Sequence, residues 1–147
     1  MVYSFHPIGL IHSPNTDKRS TPIQPSRSLA IGKVEIFPEY TQGLEGVEGF
    51  SHLILLYVFH SSEGYSLSVK PFLDNQQHGL FATRHPCRPN PLGISIVRLL
   101  KRNDNWLVIE GVDVLDQTPL LDLKPYVPDF DSYPGARAGW YEQRSER

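Results

Sequence analysis

The residues with the clearest chemical potential lie in one short segment, Ala82–Ser95, which reads ATRHPCRPNPLGIS. It carries Arg84, Arg88 and Asn90 together with three prolines. Each proline fixes its own φ near about −65° and keeps the preceding residue out of the helical region, so we expect a stiff, extended turn. Guanidinium groups match carboxylates and phosphates, and an amide offers donors and acceptors, which favours recognition of an anion or a nucleotide. A proline-stiffened surface loop with solvated arginines is the alternative interpretation.

Histidine and cysteine do not indicate a metal site or a reactive thiol. Cys87 is the single cysteine and lies two residues from His85 across a proline, while the other histidines lack the paired spacing of zinc ligands. We therefore expect no metal and no internal disulfide. A single cysteine gives no sign of an oxidising compartment, so a cytoplasmic location is expected.

Composition favours one small domain without a strong electrostatic attraction to nucleic acid. The chain has 147 residues, and its 14 basic and 16 acidic side chains leave a formal charge of −2. Any RNA partner must therefore be recognised locally rather than by a large basic surface. The longest uninterrupted apolar run, Leu53–Phe59, is far too short to span a membrane, and the amino end lacks the pattern of a signal peptide. Neither secretion nor a membrane partner is expected.

Short strands separated by strong turn signals are predicted along most of the chain. Leu29–Phe37 places Lys33 and Glu35 on one face and Val34 and Ile36 on the other, which is the period of a half-buried strand. The turn Arg102–Asn105 predicts a hairpin. Loops are predicted over Asn15–Ser28 and Phe72–Gln77, one helical turn over Pro38–Gly46, and irregular structure with at most a short helix from Pro128 onward. The predicted strands are Ile8–His12, Leu29–Phe37, His52–Phe59, Leu80–Thr83, Ile94–Leu100, Trp106–Val114 and Leu121–Val127.

These elements predict a mainly β fold. With 13 prolines and 11 glycines, no window of about fifteen residues keeps a helical period, so a doubly wound nucleotide-binding fold is improbable. No glycine-rich phosphate loop is present either. Six to seven short strands favour a small, mostly antiparallel barrel with long loops, in which closure removes the exposed edges.

Five strings carry a resemblance to a known family. They are IGLIHSP at Ile8–Pro14, TPIQP at Thr21–Pro25, GFSHLILLYVFH at Gly49–His60, the proline-rich turn at Ala82–Ser95, and GVDVLDQTPLLDLKPYVPDFDS at Gly111–Ser132. In this order they resemble the TsaA-like family, whose characterised members are the TrmO-type tRNA methyltransferases. The resemblance assigns residues 1–132 to a β-barrel methyltransferase domain and leaves residues 133–147 as a C-terminal tail. Two departures are that Gln117 stands where the family commonly has glycine and that His85 stands where a small residue is usual.

The resemblance implies that the protein binds S-adenosylmethionine, acts on tRNA and forms a homodimer. It places the cofactor against three groups of residues and two single residues, which together would have to meet at one rim of the barrel. They are Gln24, Pro25 and Ser26; His60 and Ser61; Arg84; Ile94; and Leu115, Asp116, Gln117 and Thr118.

The implied reaction is methylation of the exocyclic nitrogen of threonylcarbamoyl-adenosine beside the anticodon. That nitrogen is bonded to a carbonyl and is a poor nucleophile until it loses its proton, so a base is expected. His60 and Asp116 are the candidate catalytic residues. The alternatives remain a histidine that only ends a strand and an aspartate that only caps a turn.

The acceptor would need donors for its carboxylate and for the flanking phosphates. Arg88 and Asn90 in the rigid turn are expected to supply them, followed by Lys124 and by Tyr126, whose ring could stack on a base. The sequence thus favours an S-adenosylmethionine-dependent tRNA methyltransferase. A noncatalytic barrel that binds nucleotide or RNA is the first alternative, and a methyltransferase for a small molecule or a protein is the second.

Overall fold

The computed structural model of this protein describes residues 1–16 and 29–144. Within these ranges four short 3-10 helices span Pro38–Leu44, Val47–Gly49, Leu80–Ala82 and Gly139–Gln143, and one turn of α-helix, α1, spans Pro128–Asp131. The strands are β1 (Gly9–His12), β2 (Ile31–Ile36), β3 (His52–Val58), β4 (Ser68–Val69), β5 (His78–Gly79), β6 (Leu92–Asn103), β7 (Trp106–Glu110) and β8 (Thr118–Pro125).

Six strands close into a barrel in the order β1-β2-β7-β6-β3-β8, with β8 paired back to β1. All six pairings are antiparallel. β4 and β5 form a separate two-stranded sheet. The mainly β class and the small antiparallel barrel predicted from the sequence are confirmed.

Alternating side chains form the core of the barrel. Along β3, Leu53, Leu55 and Tyr57 are at most 3% exposed and point inward, whereas Ile54 and Leu56 are only partly buried. This period of two puts every second side chain of each strand into the same interior. Removing apolar surface from water there stabilises the closed barrel.

The barrel has two ends, which we call the upper and lower rims. The upper rim carries the ends of β1, β3 and β7 and the starts of β2, β6 and β8, as the antiparallel registers Val58↔Leu92, Tyr57↔Leu120 and Ile31↔Glu110 require. The lower rim carries the opposite ends. Long connections therefore leave the upper rim after β1, β3 and β7.

The lower rim is closed mainly by apolar packing. The 3-10 helices between β2 and β3 bury Leu44 and Val47 against the barrel core. Asn105, in the tight turn between β6 and β7, donates from Nδ2 to the Ile36 carbonyl at 2.8 Å. β6 and β7 pair antiparallel on either side of this turn, which confirms the hairpin predicted at Arg102–Asn105.

Several predicted boundaries change. The strand predicted at Leu80–Thr83 is wrong, because the backbone N–H and the Oγ1 of Thr83 both donate to the Leu80 carbonyl and close a 3-10 turn. The strand predicted at Trp106–Val114 stops at Glu110, because Gly111 adopts a positive φ of 103°. The last strand begins at Thr118, three residues earlier than predicted.

The C-terminal residues do not run free of the domain. Trp140 donates from its indole nitrogen to the Ala82 carbonyl and stacks on His78, with ring centroids 5.0 Å apart. Trp140 therefore attaches the predicted tail to the connection between β3 and β6. No helix among the described residues is both long and apolar enough to cross a membrane.

Candidate active site

The upper rim gathers most of the sequence-predicted cofactor residues. His60 and Ser61 follow β3, Arg84 lies in the connection to β6, and residues 115–118 lead into β8. Ile94 is the third residue of β6. Gln24, Pro25 and Ser26 lie outside the described residues. Each member of the set that the structure describes therefore lies on or beside a strand end at the upper rim, and their joint role in binding the cofactor stays a prediction.

Hydrogen bonds fasten the connection between β7 and β8 to the chain that follows β1. The Val114 carbonyl accepts from Ser13 Oγ at 2.7 Å and from Asn15 Nδ2 at 3.1 Å. The Asp116 N–H donates to the Asn15 carbonyl at 2.7 Å, and its Oδ1 accepts from the Ser13 N–H at 2.9 Å. Asp116 thus ties the connection between β7 and β8 to the chain that follows β1, and its assignment as a catalytic residue stays a prediction.

The backbone and side chain of Gln117 show how a glutamine is accommodated where the family commonly has glycine. Its φ is +67°, in the left-handed region where glycine is the default residue. The side chain compensates by donating from Nε2 to His12 Nδ1 at 2.9 Å, and His12 Nε2 lies 2.9 Å from Glu35 Oε1. Accepting at Nδ1 places the imidazole proton on Nε2, which donates to Glu35.

Thr118 and Leu115 close the same turn. Thr118 is 2% exposed, and its Oγ1 donates to the Leu115 carbonyl at 2.7 Å. The Thr118 hydroxyl therefore fixes the turn before β8 and is itself shielded. A cofactor at this rim would meet the backbone of the turn more readily than the threonine side chain.

A buried polar chain lies under the upper rim, and sequence reasoning missed it. Tyr57 Oη and Ser95 Oγ are 2.8 Å apart, and Ser95 Oγ donates to Asp113 Oδ1 at 2.8 Å. Tyr57 is 3% exposed and Ser95 9% exposed, both at inward positions of their strands. The available signal was a serine at an inward position of β6, where an apolar residue is expected.

Burial raises the pKa values of Tyr57 and Asp113, the two titratable residues of this hydrogen-bonded chain. Burial, and then the nearby negative charge of Asp113, raise the pKa of the Tyr57 hydroxyl well above its usual value, against the opposing effects of the Ser95 hydrogen bond and the positive charge of Arg84. Burial also raises the pKa of the Asp113 carboxyl, although the hydrogen bond from Ser95 lowers it. The Arg84 guanidinium is therefore close enough to affect the pKa of the Tyr57 hydroxyl.

The exposed members of the site can meet a ligand. His60 and Arg84 are exposed, and the Phe59 N–H donates to the Pro91 carbonyl at 2.8 Å, which joins the end of β3 to the start of β6. Ile94 is 46% exposed and points outward, because its neighbour Ser95 points into the barrel.

Arg88 stabilises the proline-rich turn from within. Its Nη1 donates to the Thr83 carbonyl at 2.9 Å and the His85 carbonyl at 3.2 Å, and its guanidinium lies 5.7 Å from the ring centroid of Phe81. Asn90 is exposed next to it. The expected stiffness of the turn thus comes from arginine as well as from proline. The assignment of Arg88 and Asn90 to the acceptor remains a prediction.

Lys124 and Tyr126 lie at the other end of the barrel. Lys124 pairs with Ile54 near the start of β3, and its Nζ lies 2.9 Å from Asp122 Oδ2. The Tyr126 N–H donates to the His52 carbonyl, also at the lower rim. These two predicted substrate residues are therefore not brought together with Arg88 and Asn90.

The groups at the upper rim fit S-adenosylmethionine chemically. An exposed guanidinium at Arg84 suits the carboxylate of the methionine moiety, and the carboxylate of Asp116 suits a positively charged sulfur. Ile94 offers apolar surface to the adenine ring. Within residues 1–16 and 29–144, no group of three or more histidine, cysteine, aspartate or glutamate side chains could hold a metal ion.

Comparison with known proteins identifies the family of this chain. The family model described as the tRNA-methyltransferase O N-terminal domain matches residues 10–132. A probable S-adenosyl-L-methionine-binding protein of Pyrococcus abyssi is 51% identical over 144 residues, covering 97% of this chain and 78% of that protein. The tRNA (adenine(37)-N6)-methyltransferase of Escherichia coli is 37% identical over 149 residues, covering 94% of this chain.

Solved structures give the same result. A crystal structure of TrmO from Pseudomonas aeruginosa has a TM-score of 0.77 at 39% identity and covers 95% of this chain. The chain spans 62% of that structure and 63% of the Escherichia coli relative. The chain belongs to the family of the tRNA-methyltransferase O N-terminal domain.

Proposed function

We propose that this protein is an S-adenosylmethionine-dependent tRNA methyltransferase that modifies the exocyclic nitrogen of the adenosine beside the anticodon, in the cytoplasm. We further propose that the acceptor is threonylcarbamoyl-adenosine. The observation that carries the proposal is that the family match over residues 10–132 coincides with a polar site at one rim of the barrel.

The cofactor would be held by the described upper-rim residues His60, Ser61, Arg84, Ile94 and the turn 115–118, with Gln24, Pro25 and Ser26 completing the set. When bound, S-adenosylmethionine supplies a methyl group on a positively charged sulfur. The protein's part is to align the acceptor with that methyl group, because alignment can supply several kcal/mol in a displacement reaction. The hydrogen bonds that tie the turn before β8 to Ser13 and Asn15 suit this demand for rigidity.

The acceptor carboxylate would be bound by Arg88 and Asn90. Arg88 uses Nη1 to hold its own turn, which fixes where the rest of the guanidinium points. Lys124 lies opposite Ile54 and Tyr126 beside His52, which puts them about 13 Å and about 20 Å from the upper end of β3 at about 3.3 Å per residue. We assign them to a more distant part of the tRNA.

A homodimer would cover the apolar outer face of β6. Leu92, Ile94 and Ile96 are 47%, 46% and 52% exposed on this face. Because Ile94 points outward, a second copy on this face would also complete the cofactor site. Light scattering is expected to give twice the chain mass, and Ile96→Glu should shift the mass to a monomer. Tyr40→Ser, which alters an exposed ring at the lower rim, is the matched control.

A labelled-methyl assay tests the function directly. Purified protein and S-adenosylmethionine are incubated with tRNA that has or has not been threonylcarbamoylated. Methyl transfer only to the modified tRNA supports the full proposal, and transfer to both supports the enzyme class with a wider acceptor. Specific cofactor binding without transfer to either tRNA would favour a methyltransferase for a small molecule or a protein. No cofactor binding would favour the noncatalytic module.

A further inference from the structure

The Tyr57–Ser95–Asp113 chain has no part in the cofactor and acceptor sets described above. Its members come from β3, from β6 and from the connection after β7, and they meet under the upper rim. Gly93 leaves the space for Tyr57, because a Cβ at that position would lie 2.3 Å from Tyr57 Cε1. The ring of Phe59 packs edge-on against Tyr57 at 5.5 Å. The chain is therefore held in one geometry.

In the Tyr57–Ser95–Asp113 chain, both hydrogen bonds are donated in the direction of Asp113. Ser95 has one hydroxyl proton, and it donates that proton to Asp113 Oδ1. The Tyr57 hydroxyl must then donate to Ser95 Oγ, at 2.8 Å. Both hydrogen bonds therefore lead towards an ionised Asp113. A carboxylate has about four lone-pair sites, so Asp113 can accept a further proton donor while it keeps Ser95.

As a proton acceptor, Asp113 compares well with Asp116 and His60, the two candidate bases taken from the sequence. Asp116 uses Oδ1 to accept from the Ser13 backbone, and His60 is exposed to solvent. Asp113 is partly buried, and burial raises the pKa of its carboxyl, which makes its carboxylate a stronger base than a solvated one. The groups that act electrostatically within this chain are Tyr57 and Asp113 themselves and Arg84 from the proline-rich turn.

We propose that Asp113 accepts the proton that the acceptor nitrogen loses during methyl transfer, and that Tyr57 and Ser95 position its carboxylate. The nitrogen gives its proton to Asp113 and its electron pair to the methyl carbon. The carbon–sulfur bond breaks with its electrons left on sulfur, and Asp113 later releases the proton to water. Asp113 is then a catalytic residue, and Tyr57 and Ser95 are positioning residues. The inference rests on the proposed function.

The first experiment separates proton transfer from binding. Asp113→Asn keeps the size of the side chain and can still accept from Ser95, so cofactor affinity by calorimetry should stay within threefold of wild type. Methyl transfer to tRNA should fall at least about 100-fold, the usual contribution of a general base. Glu39→Gln, in the 3-10 helix at the lower rim, is the matched control and should retain wild-type activity.

The second experiment combines an NMR titration of the protein without cofactor with the pH profile of kcat. Because the Ser95 hydrogen bond lowers the pKa of Asp113, Ser95→Ala should raise that pKa in a carboxyl-carbon NMR titration. The acidic limb of the kcat profile should move to higher pH by the same amount. Tyr57→Phe should give a smaller shift in the same direction, since it acts through Ser95. This readout does not depend on whether Asp113→Asn folds.

The outcomes are distinguishable. Wild-type protein that binds S-adenosylmethionine but methylates no tRNA overturns the proposed function, and the proton-transfer step with it. An active wild type combined with an Asp113→Asn variant within fivefold of it overturns this inference alone. A Ser95→Ala profile that does not move, or moves to lower pH, also overturns it.

Discussion

The two ends of the barrel are closed by different chemistry. At the lower rim, Leu44 and Val47 pack into the core, and the turn between β6 and β7 is short. At the upper rim, polar side chains of Tyr57, Ser95 and Asp113 reach beneath long connections. One barrel thus separates a packed end, which contributes stability, from an end where exposed loop residues such as His60 and Arg84 can meet a ligand above buried polar side chains.

The difference has a simple origin in connectivity. Antiparallel strands that follow one another directly need only a tight turn, as at the lower end of β6 and β7. The connection from β3 to β6 instead spans residues 59–91, and it brings Arg84 and Arg88 to the upper rim. Loops on a rigid scaffold are where binding groups concentrate.

The largest expected contrast between the rims is in cofactor binding. Arg84→Ala should weaken S-adenosylmethionine binding about 10- to 100-fold, because a hydrogen bond to a charged group is worth about 1.5–3 kcal/mol. Lys124→Ala at the lower rim is the matched control and should change affinity less than twofold. Calorimetry measures both. Equal losses in the two variants would mean that the site is not confined to the upper rim.

The next contrast concerns packing. Gly93→Ala would put a Cβ 2.3 Å from the Tyr57 ring, and overpacking of this kind costs about 1–3 kcal/mol of unfolding free energy. Gly49→Ala, near the lower rim, meets no atom within 4 Å and should change stability by less than about 0.5 kcal/mol. Urea denaturation compares the two. If Gly93→Ala were as stable as wild type, Tyr57 would not be held as described.

The proline-rich turn allows a test within the upper rim. Arg88→Ala should reduce use of tRNA about tenfold and reduce cofactor affinity less, because Arg88 is assigned to the acceptor. The melting temperature must be followed as well, since Arg88 also holds the Thr83 and His85 carbonyls. Loss of cofactor affinity with tRNA binding retained would show that the assignment of Arg88 is wrong.

The smallest expected effect is at Gln117. Its left-handed backbone predicts that Gln117→Gly is more stable than Gln117→Ala by about 1 kcal/mol, the reverse of the usual order. Both variants lose the hydrogen bond to His12, so that loss cancels in the comparison. Chemical denaturation measures the difference. An alanine variant of equal or greater stability would argue against the positive φ.

The sequence predicted the barrel, but it did not reveal the hydrogen bonds among Tyr57, Ser95 and Asp113 under the upper rim. The alternation in β2 and β3 is local, and the predicted strand at His52–Phe59 differs from β3 by one residue. The prediction of a strand at Leu80–Thr83 is wrong because the 3-10 turn depends on a hydrogen bond from the Thr83 side chain, which the mostly apolar sequence of this segment does not reveal.

The features that could not be predicted from the sequence depend on contacts between residues that are far apart along it. Tyr57 and Ser95 are 38 residues apart and Ser95 and Asp113 are 18 apart, so their hydrogen-bonded chain exists only once the barrel has closed. Lys124 and Tyr126 follow Asp116 closely in the chain, yet β8 carries them to the other end of the barrel.

Mapping of backbone amide shifts with S-adenosylhomocysteine, the product form of the cofactor, tests the central claim most directly. We predict that the perturbed amides cluster at the upper rim, in residues 59–61, 84, 93–95 and 111–118. Amides at the lower rim, in residues 37–51, 104–105 and 124–126, should not move. Perturbations centred on the lower rim, or spread evenly over both rims, would contradict the account.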